Sequence, residues 1–209
     1  MFPHKNDVKY ELLQTTEEGV YSITRRRDAD RIMNIIRYVV KHTDTKSITD
    51  CTACIGGDTL NFGLNFKAVI SIELKQNNFD ALRNNVDVYE LHNVSTLLGD
   101  CTKLFDWYSD VVYIDPPWGG PDYREHKVLN LTISDIRLDA WLFEILLRKN
   151  RPAHIFLKLP VNYNFERFNT LPNVEFIKAY QIRNYVLVSI VVHVKRIHTP
   201  PARPDSRLQ

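Results

Sequence analysis

The segment DVVYIDPPWGG, at residues 110–120, places unusual side chains directly after an apolar stretch. Asp115 supplies a carboxylate and Trp118 supplies a flat aromatic face. Pro116 and Pro117 form a rigid loop, because proline fixes φ and has no amide donor. A planar base stacked on Trp118 would donate from its exocyclic amine to Asp115 and to the Pro116 carbonyl. Such an arrangement predicts methyl transfer to an amine by positioning and electrostatics. The alternative is a strand that ends in proline, followed by a core tryptophan.

Acidic residues also end three earlier apolar stretches. Asp50 precedes a turn that contains Gly56 and Gly57, where a backbone without Cβ atoms can approach a ligand closely. Glu73 follows about 20 residues later, a spacing suited to an acid that accepts from ribose hydroxyls. Asp100 ends the next stretch and is placed to accept from an adenine amino group. These acids predict a nucleoside-containing ligand at one edge of a sheet.

The order of apolar patterns predicts an α/β fold. β-prone stretches alternate with helical patterns, which is typical of a parallel sheet covered on both faces. We expect seven strands, the last two as an antiparallel hairpin, and hence a Rossmann-like methyltransferase fold. The strands are predicted at 47–53, 68–74, 94–100, 110–115, 153–160, 174–182 and 184–194. The helices are predicted at 29–42, 58–66, 77–92 and 134–149, the last with Ser134 as its N-cap.

Composition predicts one soluble, intracellular domain. The chain has 209 residues, 44% of them apolar, and a formal net charge of +2. It has no apolar run of about 20 residues that would span a membrane, and no apolar N-terminal stretch typical of a signal peptide. Its cysteines number only 3, and Cys51 and Cys54 lack the further ligands of a metal site. We expect an N-terminal segment (1–28) that contributes to the site, a catalytic domain (29–197) and a basic tail (198–209).

The longer segment DVVYIDPPWGGPDY resembles the trimethylguanosine synthase family, whose enzymes add methyl groups to N2 of the m7G cap of RNA. The family usually reads SPPWGGPDY here. Four further segments are similar to family motifs: EEGVYSIT (17–24), DCTACIGGDT (50–59), ALRNNVDVYEL (81–91) and LKLPVN (157–162). The similarity covers roughly residues 10–195. The chain resembles the compact members of the family that are found in protists and large DNA viruses.

The resemblance implies a class I S-adenosylmethionine-dependent methyltransferase that acts on m7G-capped RNA as a monomer. Neither a metal nor a membrane is expected, and the location would be the cytoplasm or nucleus, including that of an infected host cell. Stacking on Trp118 would gain a cation–π contribution of about 0.5 to 2 kcal/mol from cationic m7G. The polyphosphate would meet Lys158, Arg124 and the run Arg25–Arg27. The implied catalytic residues are Asp115, Pro116 and Trp118; the cofactor residues are Thr24, Asp50, Thr52, Cys54, Gly56, Gly57, Glu73, Asp100 and Asp115; the substrate residues are Trp118, Pro121, Asp122, Tyr123, Arg124, Lys158 and Asn162.

Three positions depart from the family pattern. Asp115 replaces serine, Cys54 replaces the first glycine of its loop, and Val161 replaces the arginine of LPRN. Because DPPW is also carried by N6-adenine methyltransferases, transfer to adenine in DNA or RNA is an alternative. A cap- or RNA-binding module without catalysis is another. The sequence leaves open whether one or two methyl groups are added.

Overall fold

A computed structural model describes residues 1–104 and 109–193, except for the side chain of Pro121. The strands within this part are β1 (Ser47–Asp50), β2 (Ala68–Glu73), β3 (Val94–Leu98), β4 (Val111–Ile114), β5 (Thr132–Ile133), β6 (Ile136–Arg137), β7 (His154–Pro160), β8 (Val174–Ile182) and β9 (Tyr185–Val192). The helices are α1 (Glu17–Ser22), α2 (Arg26–Val40), α3 (Gly57–Gly63), α4 (Gln76–Val88) and α5 (Leu138–Leu147).

One seven-stranded sheet has the order β3-β2-β1-β4-β7-β9-β8. The first five strands in this order are parallel, and β9 runs antiparallel to both β7 and β8. The predicted fold class and C-terminal hairpin are therefore confirmed. The chain moves from β1 outward to β3 and then returns to place β4 on the other side of β1. Such a reversal opens a crevice at the carboxyl ends of the strands, where α/β proteins bind ligands.

Strand β4 is buried on both faces, which explains its unbroken apolar sequence. Val111 and Tyr113 pack with Ile32 and Ile36 of helix α2 on one face. The alternate positions of β4 point to the opposite face, where the cluster that includes Trp141 of α5 lies. Helix α4 packs beside this sheet through a third apolar cluster around Leu82 and Ile55. The two layers hold the end of β4, and therefore the DPPW loop, in a fixed position.

The predicted helix at 134–149 begins later than expected, and Ser134 is not its N-cap. Strands β5 and β6 form a small hairpin, in which Ser134 lies in the turn with a φ of 50°. Helix α5 begins only at Leu138, after the extended residue Arg137. The segment TISDIR has isoleucines at 133 and 136. Ile133 is buried and Ile136 packs against the same core. A hairpin places both side chains in that core, and β-branched residues favour an extended conformation over a helical turn.

The N-terminal residues pack against the domain. Thr16 caps helix α1 by accepting from the Gly19 N–H at 2.9 Å. Asn85 of α4 donates to the carbonyls of Gln14 and Ile55, which fastens the N-terminal residues to α4 and to the turn after β1. Within residues 1–104 and 109–193, no helix has both the length and the apolar character needed to cross a membrane. The predicted tail at 198–209 lies outside the described residues.

Candidate active site

The turn after β1 forms the first wall of the site. Gly56 has a φ of 99° and precedes α3, a conformation that favours glycine. A Cβ on Gly57 would lie 2.5 Å from Ile23 Cγ1 and 3.1 Å from the Thr24 carbonyl oxygen, so the N-terminal segment packs directly on this turn. Cys54, which replaces a glycine of the family motif, also adopts a left-handed φ of 48°. The loop therefore keeps a backbone shape suited to glycine.

Glu73 lies where β2 ends and is bound to the backbone of two loops. Its Oε2 accepts from the Cys54 N–H and its Oε1 from the Lys75 N–H, both at 2.8 Å. The side chain is buried. Each carboxylate oxygen can accept a further hydrogen bond. The two amides therefore orient Glu73 and leave it able to accept from vicinal hydroxyls.

Asp50 and Asp100 have contrasting environments at the ends of β1 and β3. Asp50 accepts from the Thr52 N–H and the Thr59 hydroxyl, and burial together with nearby Asp58 raises its pKa to about 8. Burial also acts to raise the pKa of Asp100, but hydrogen bonds, chiefly from Thr102, outweigh it and lower the pKa. Asp100 is thus ionised at neutral pH and Asp50 is mostly neutral.

A buried ion pair lies at the ends of β4 and β7. Ile114 is in register with Leu157 on these parallel strands, so the next residues, Asp115 and Lys158, lie side by side. Lys158 Nζ donates to Asp115 Oδ2 at 2.6 Å and to Thr24 Oγ1 at 2.8 Å. The two charged side chains are only 8% and 19% exposed. Asp115 is held further by its own N–H, which donates to Thr52 Oγ1 at 2.8 Å.

The two members of the pair shift each other's pKa. Burial raises the pKa of Asp115 to about 6, and the adjacent Lys158 ammonium limits that rise. Burial acts to lower the pKa of Lys158, but the carboxylates of Asp115 and Asp58 outweigh it and raise the pKa. At neutral pH both side chains are charged, and the carboxylate carries a proton only under mildly acidic conditions.

Asp58 extends this polar network, although the sequence patterns did not identify it. Its Oδ2 accepts from the hydroxyls of Thr24 at 2.5 Å and Tyr113 at 3.0 Å. Burial raises its pKa above the ordinary value, while Lys158 and both hydroxyls act in the opposite direction. The sequence signal for Asp58 is its place directly after Gly57, in the first turn of α3 and close to the loop that would approach a ligand.

Aromatic rings surround the outer side of the ion pair. Trp118 is half-buried, and its ring lies 5.0 Å from Tyr123 in an edge-on contact and 6.2 Å from Tyr185. Lys158 Nζ lies 5.7 Å from the Trp118 ring centroid and 5.3 Å from that of Tyr185. Tyr185 was not identified from the sequence, because the site residues were sought where parallel strands end. Tyr185 instead begins antiparallel β9, which starts at that same edge of the sheet, opposite Pro160.

The remaining predicted substrate residues lie on the rim. Asn162 donates from Nδ2 to the carbonyls of Tyr123 and His126 at 2.8 Å each, which fixes the short 3-10 helix at Pro121–Glu125. Arg124 is exposed, with its guanidinium 5.4 Å from the Tyr123 ring centroid. Asp122 is also exposed. For Pro121 only the backbone is described.

The described residues fit a nucleoside ligand with an attached cation. Glu73 is oriented by two amides, and the glycine turn lies beside it. Four buried polar atoms near the ion pair and its rim lack hydrogen-bond partners in the described part of the chain: Asp58 Oδ1, Trp118 Nε1, Tyr185 Oη and Asn162 Oδ1. No group of three or more His, Cys, Asp or Glu side chains within that part is placed to hold a metal ion. Arg25 precedes helix α2, and Arg26 and Arg27 begin it; all three are exposed and have no described contact to Trp118.

Comparisons with known proteins agree with this chemistry. A family model for RNA cap guanine-N2 methyltransferase matches residues 45–198. The chain is 28% identical to uncharacterized protein L320 of Acanthamoeba polyphaga mimivirus, over 93% of this chain and 83% of that protein. It is 27% identical to trimethylguanosine synthase of Schizosaccharomyces pombe over 68% of this chain, and it spans only 62% of that enzyme.

Solved structures share the fold. The 16S rRNA N2 G1207 methyltransferase of T. thermophilus, in complex with AdoMet and guanosine, superposes with a TM-score of 0.63 at 12% identity. The match covers 81% of this chain and 44% of that one. A dimethyladenosine transferase from Plasmodium falciparum gives a TM-score of 0.60, also at 12% identity, over 82% and 63% of the two chains. At such identities the likeness concerns the fold.

Proposed function

Because the chain belongs to the RNA cap guanine-N2 methyltransferase family, and is therefore a methyltransferase, we propose that it methylates the exocyclic N2 amine of m7G in capped RNA. The observation that carries this proposal is the contact of a largely buried carboxylate, Asp115, with Lys158 beside the half-buried ring of Trp118. Family membership favours an enzyme over the binding module that the sequence left open. The predicted monomeric state and intracellular location remain predictions.

S-adenosylmethionine is the proposed cofactor, and when bound it supplies the electrophilic methyl group. Glu73 would accept from the ribose hydroxyls, because two backbone amides already fix its carboxylate. The Cys54–Gly57 turn would accommodate the amino-acid end, and Asp100 would accept from the adenine amine. Thr24 would act indirectly, since its hydroxyl joins Asp58 to Lys158.

The aromatic residues would bind and orient the base. A delocalised cation such as m7G gains about 0.5 to 2 kcal/mol on an indole face. The Tyr123 and Trp118 rings make an edge-on contact, which would hold the indole in position for stacking. Arg124 lies next to Tyr123 at the exposed rim, where its guanidinium is better placed for a polyphosphate than Lys158. Lys158 would have to leave its ion pair to reach a phosphate.

Asp115 would orient the amine. Lys158 occupies Oδ2, so Oδ1 is the oxygen available to accept a hydrogen bond from an N2 amine. A second acceptor is the Pro116 carbonyl, which the rigid loop holds in place. Together they would turn the amine lone pair out of conjugation with the ring. The amine proton lost on methylation passes to water or transiently to Asp115, so no strong base is required.

Adenine is a second candidate substrate, which one specific observation favours. The Lys158 ammonium lies 5.7 Å from the Trp118 ring centroid. A neutral adenine stacked there would avoid the repulsion that cationic m7G meets from this ammonium, although the Asp115 carboxylate offsets that repulsion. Because Asp115 also matches the DPPW form of N6-adenine methyltransferases, the two substrates must be compared directly.

A substrate series tests the proposal. The protein would be incubated with methyl-labelled S-adenosylmethionine and, in separate reactions, with m7GTP, GTP, m7G-capped RNA and uncapped RNA or DNA that contains adenine. We expect label in N2 of m7G from m7GTP and capped RNA. Transfer to adenine with none to m7G would overturn the proposal in favour of the second candidate. Asp115→Ala serves as the control, and should lose turnover while binding S-adenosylmethionine with similar affinity.

A further inference from the structure

A groove lies on the α2 side of the sheet, between the end of that helix and edge strand β8. It encloses about 370 Å³. Tyr38 and Lys41 line it from the helix side, and Phe176, Lys178 and Tyr180 line it from the strand. We call this feature the β8 groove. None of the predicted site residues line it.

Three aromatic rings face the β8 groove. Positions 176, 178 and 180 alternate along β8, so their side chains share one face of the strand. Phe176 is 47% exposed and Tyr38, across the groove, is 70% exposed. Exposed rings that are grouped in one groove, rather than scattered singly over the surface, mark an interaction site. Rings on both walls would suit flat, stacked groups.

The charge of the β8 groove is positive. Lys41 and Lys178 belong to the lining, and no acidic side chain does among the described residues. The Lys178 ammonium lies 5.0 Å from the Tyr180 ring centroid. The groove therefore alternates cations with aromatic faces, the combination by which proteins bind single-stranded nucleic acid.

Strand β8 runs from the β8 groove to the candidate active site, which lies at the opposite end of the strand. Strand β8 ends at Ile182, and the turn that follows brings Asn184 Nδ2 to 3.5 Å from the hydroxyl of Tyr123. In the same turn Arg183 pairs with Asp28 at 3.6 Å. From Ile182 back to Phe176 the strand rises about 20 Å, at roughly 3.3 Å per residue. This length would accommodate a few nucleotides beyond one held at Trp118.

We propose that the β8 groove binds the single-stranded RNA that follows the methylated nucleotide. Bases stack on Tyr38, Phe176 and Tyr180, and phosphates pair with Lys41 and Lys178. The inference rests on the proposed function for the identity of the first nucleotide but not for the groove itself. Recognition would be independent of sequence, because every base has an aromatic face. Strand addition by a second protein copy on exposed β8 is the competing use of this edge.

Binding measurements without turnover test the groove. Fluorescence anisotropy would follow a labelled, m7G-capped oligoribonucleotide of about ten nucleotides, an uncapped copy, and m7GTP as competitor. Tyr38→Ala should weaken oligonucleotide binding about 5- to 150-fold, the value of one stacked base. Lys178→Ala should reduce the slope of log affinity against log salt by about 0.7. Neither variant should alter affinity for m7GTP.

The matched control is Arg83→Ala, which removes an exposed cation from α4, on the other half of the sheet. It should bind the oligonucleotide like the parent protein. Unchanged oligonucleotide affinity in both groove variants would refute the proposal, as would a concentration-dependent dimer in sedimentation that Phe176→Asp abolishes while RNA affinity stays the same. If the uncapped oligonucleotide binds through Tyr38 and Lys178 but m7GTP neither binds nor is methylated, the groove proposal stands and the proposed cap function fails.

Discussion

Replacing Lys158 by methionine removes the ammonium group that faces Asp115 and keeps an unbranched side chain of similar length. In the parent protein, burial is the main reason that Asp115 has a pKa of about 6, and Lys158 limits the rise. Only the ionised carboxylate accepts hydrogen bonds from an amine on either oxygen. We therefore expect the kcat of the parent protein to fall as the pH falls through about 6.

The magnitude for Lys158→Met follows from the loss of a buried partner. Breaking such a pair costs about 3 to 5 kcal/mol when one charge remains, and one pKa unit corresponds to about 1.36 kcal/mol. The Asp115 pKa should therefore rise from about 6 by at least about 2 units, to about 8 or higher. At pH 7 the ionised fraction falls from about nine-tenths to about one-tenth, so kcat at that pH should fall roughly tenfold.

The assay measures kcat between pH 5 and 10 with S-adenosylmethionine and m7GTP both saturating. The pH at which kcat falls to half its maximum on the acidic side should move from near 6 to near 8 or above in Lys158→Met. In Asp115→Ser this fall in kcat should vanish. Lys67→Met removes an exposed lysine just before β2 and should leave the pH dependence of kcat unchanged. The reasoning is refuted if Lys158→Met keeps its midpoint near 6.

The same variants give a stability test that does not depend on substrate. Asp115→Ser removes the carboxylate that Lys158 contacts directly and leaves the buried ammonium with only the more distant Asp58, so it should lower the free energy of unfolding by about 3 to 5 kcal/mol. The double variant with Lys158→Met has neither charge, so it should recover most of that loss. Urea unfolding of the four proteins measures the coupling. If the two single losses simply add, the ion pair does not act as a unit.

Three further outcomes are expected. Trp118→Ala should raise KM for m7GTP about 2- to 30-fold, which corresponds to the loss of a cation–π contact. The affinity for S-adenosylmethionine, measured by calorimetry, should not change. A large loss of that affinity would assign Trp118 a structural role. Gly57→Ala should destabilise the protein by about 1 to 3 kcal/mol in urea unfolding, because the new Cβ meets Ile23 and the Thr24 carbonyl; unchanged stability would mean that this contact yields easily. Asp50→Asn should remove a pH dependence of the free energy of unfolding. The pKa of Asp50 is raised to about 8 in the folded protein, so the folded state binds this proton more tightly than the unfolded state does. The parent protein therefore loses stability as the pH rises from about 4 to 8. The variant should gain on the order of 4 kcal/mol at pH 7 and nothing at pH 4, and parallel curves for the two proteins would contradict the assignment.

The sheet could be predicted from the sequence because burial on both faces leaves a simple pattern. Strand β4 reads as an unbroken apolar run, and an acid or proline marks where it ends. Strands β8 and β9 are separated by only two residues, which permits an antiparallel hairpin but not a crossover. Element boundaries were less accurate. The Ser134 error arose because a two-residue strand pair and the first turn of a helix both place apolar residues three apart.

Residues that reach the site from distant parts of the chain were harder to predict. Tyr185 is the first residue of β9, and its place beside Trp118 depends on the register of β9 against β7. Asp58 was missed because an acid in the first turn of a helix is ordinary by itself, since it favours the helix dipole. Its role depends on contacts with Thr24 and Tyr113, which the fold brings together from separate segments.

The departure at Asp115 is best explained together with Lys158. A lysine between leucines in an otherwise apolar strand must find an opposite charge, because an unpaired buried ammonium costs several kcal/mol. The parallel register places that partner at the end of the adjacent strand, 43 residues earlier in the chain. A serine at position 115 would leave the ammonium without a carboxylate in direct contact, whereas an aspartate with no lysine nearby would be largely neutral at pH 7. Each charged side chain therefore stabilises the other in its charged form, and the pair keeps an ionised hydrogen-bond acceptor beside Trp118. The acceptor at the proposed site is thus set by two strands together, so the DPPW motif alone is a poor guide to whether the base it receives is guanine or adenine.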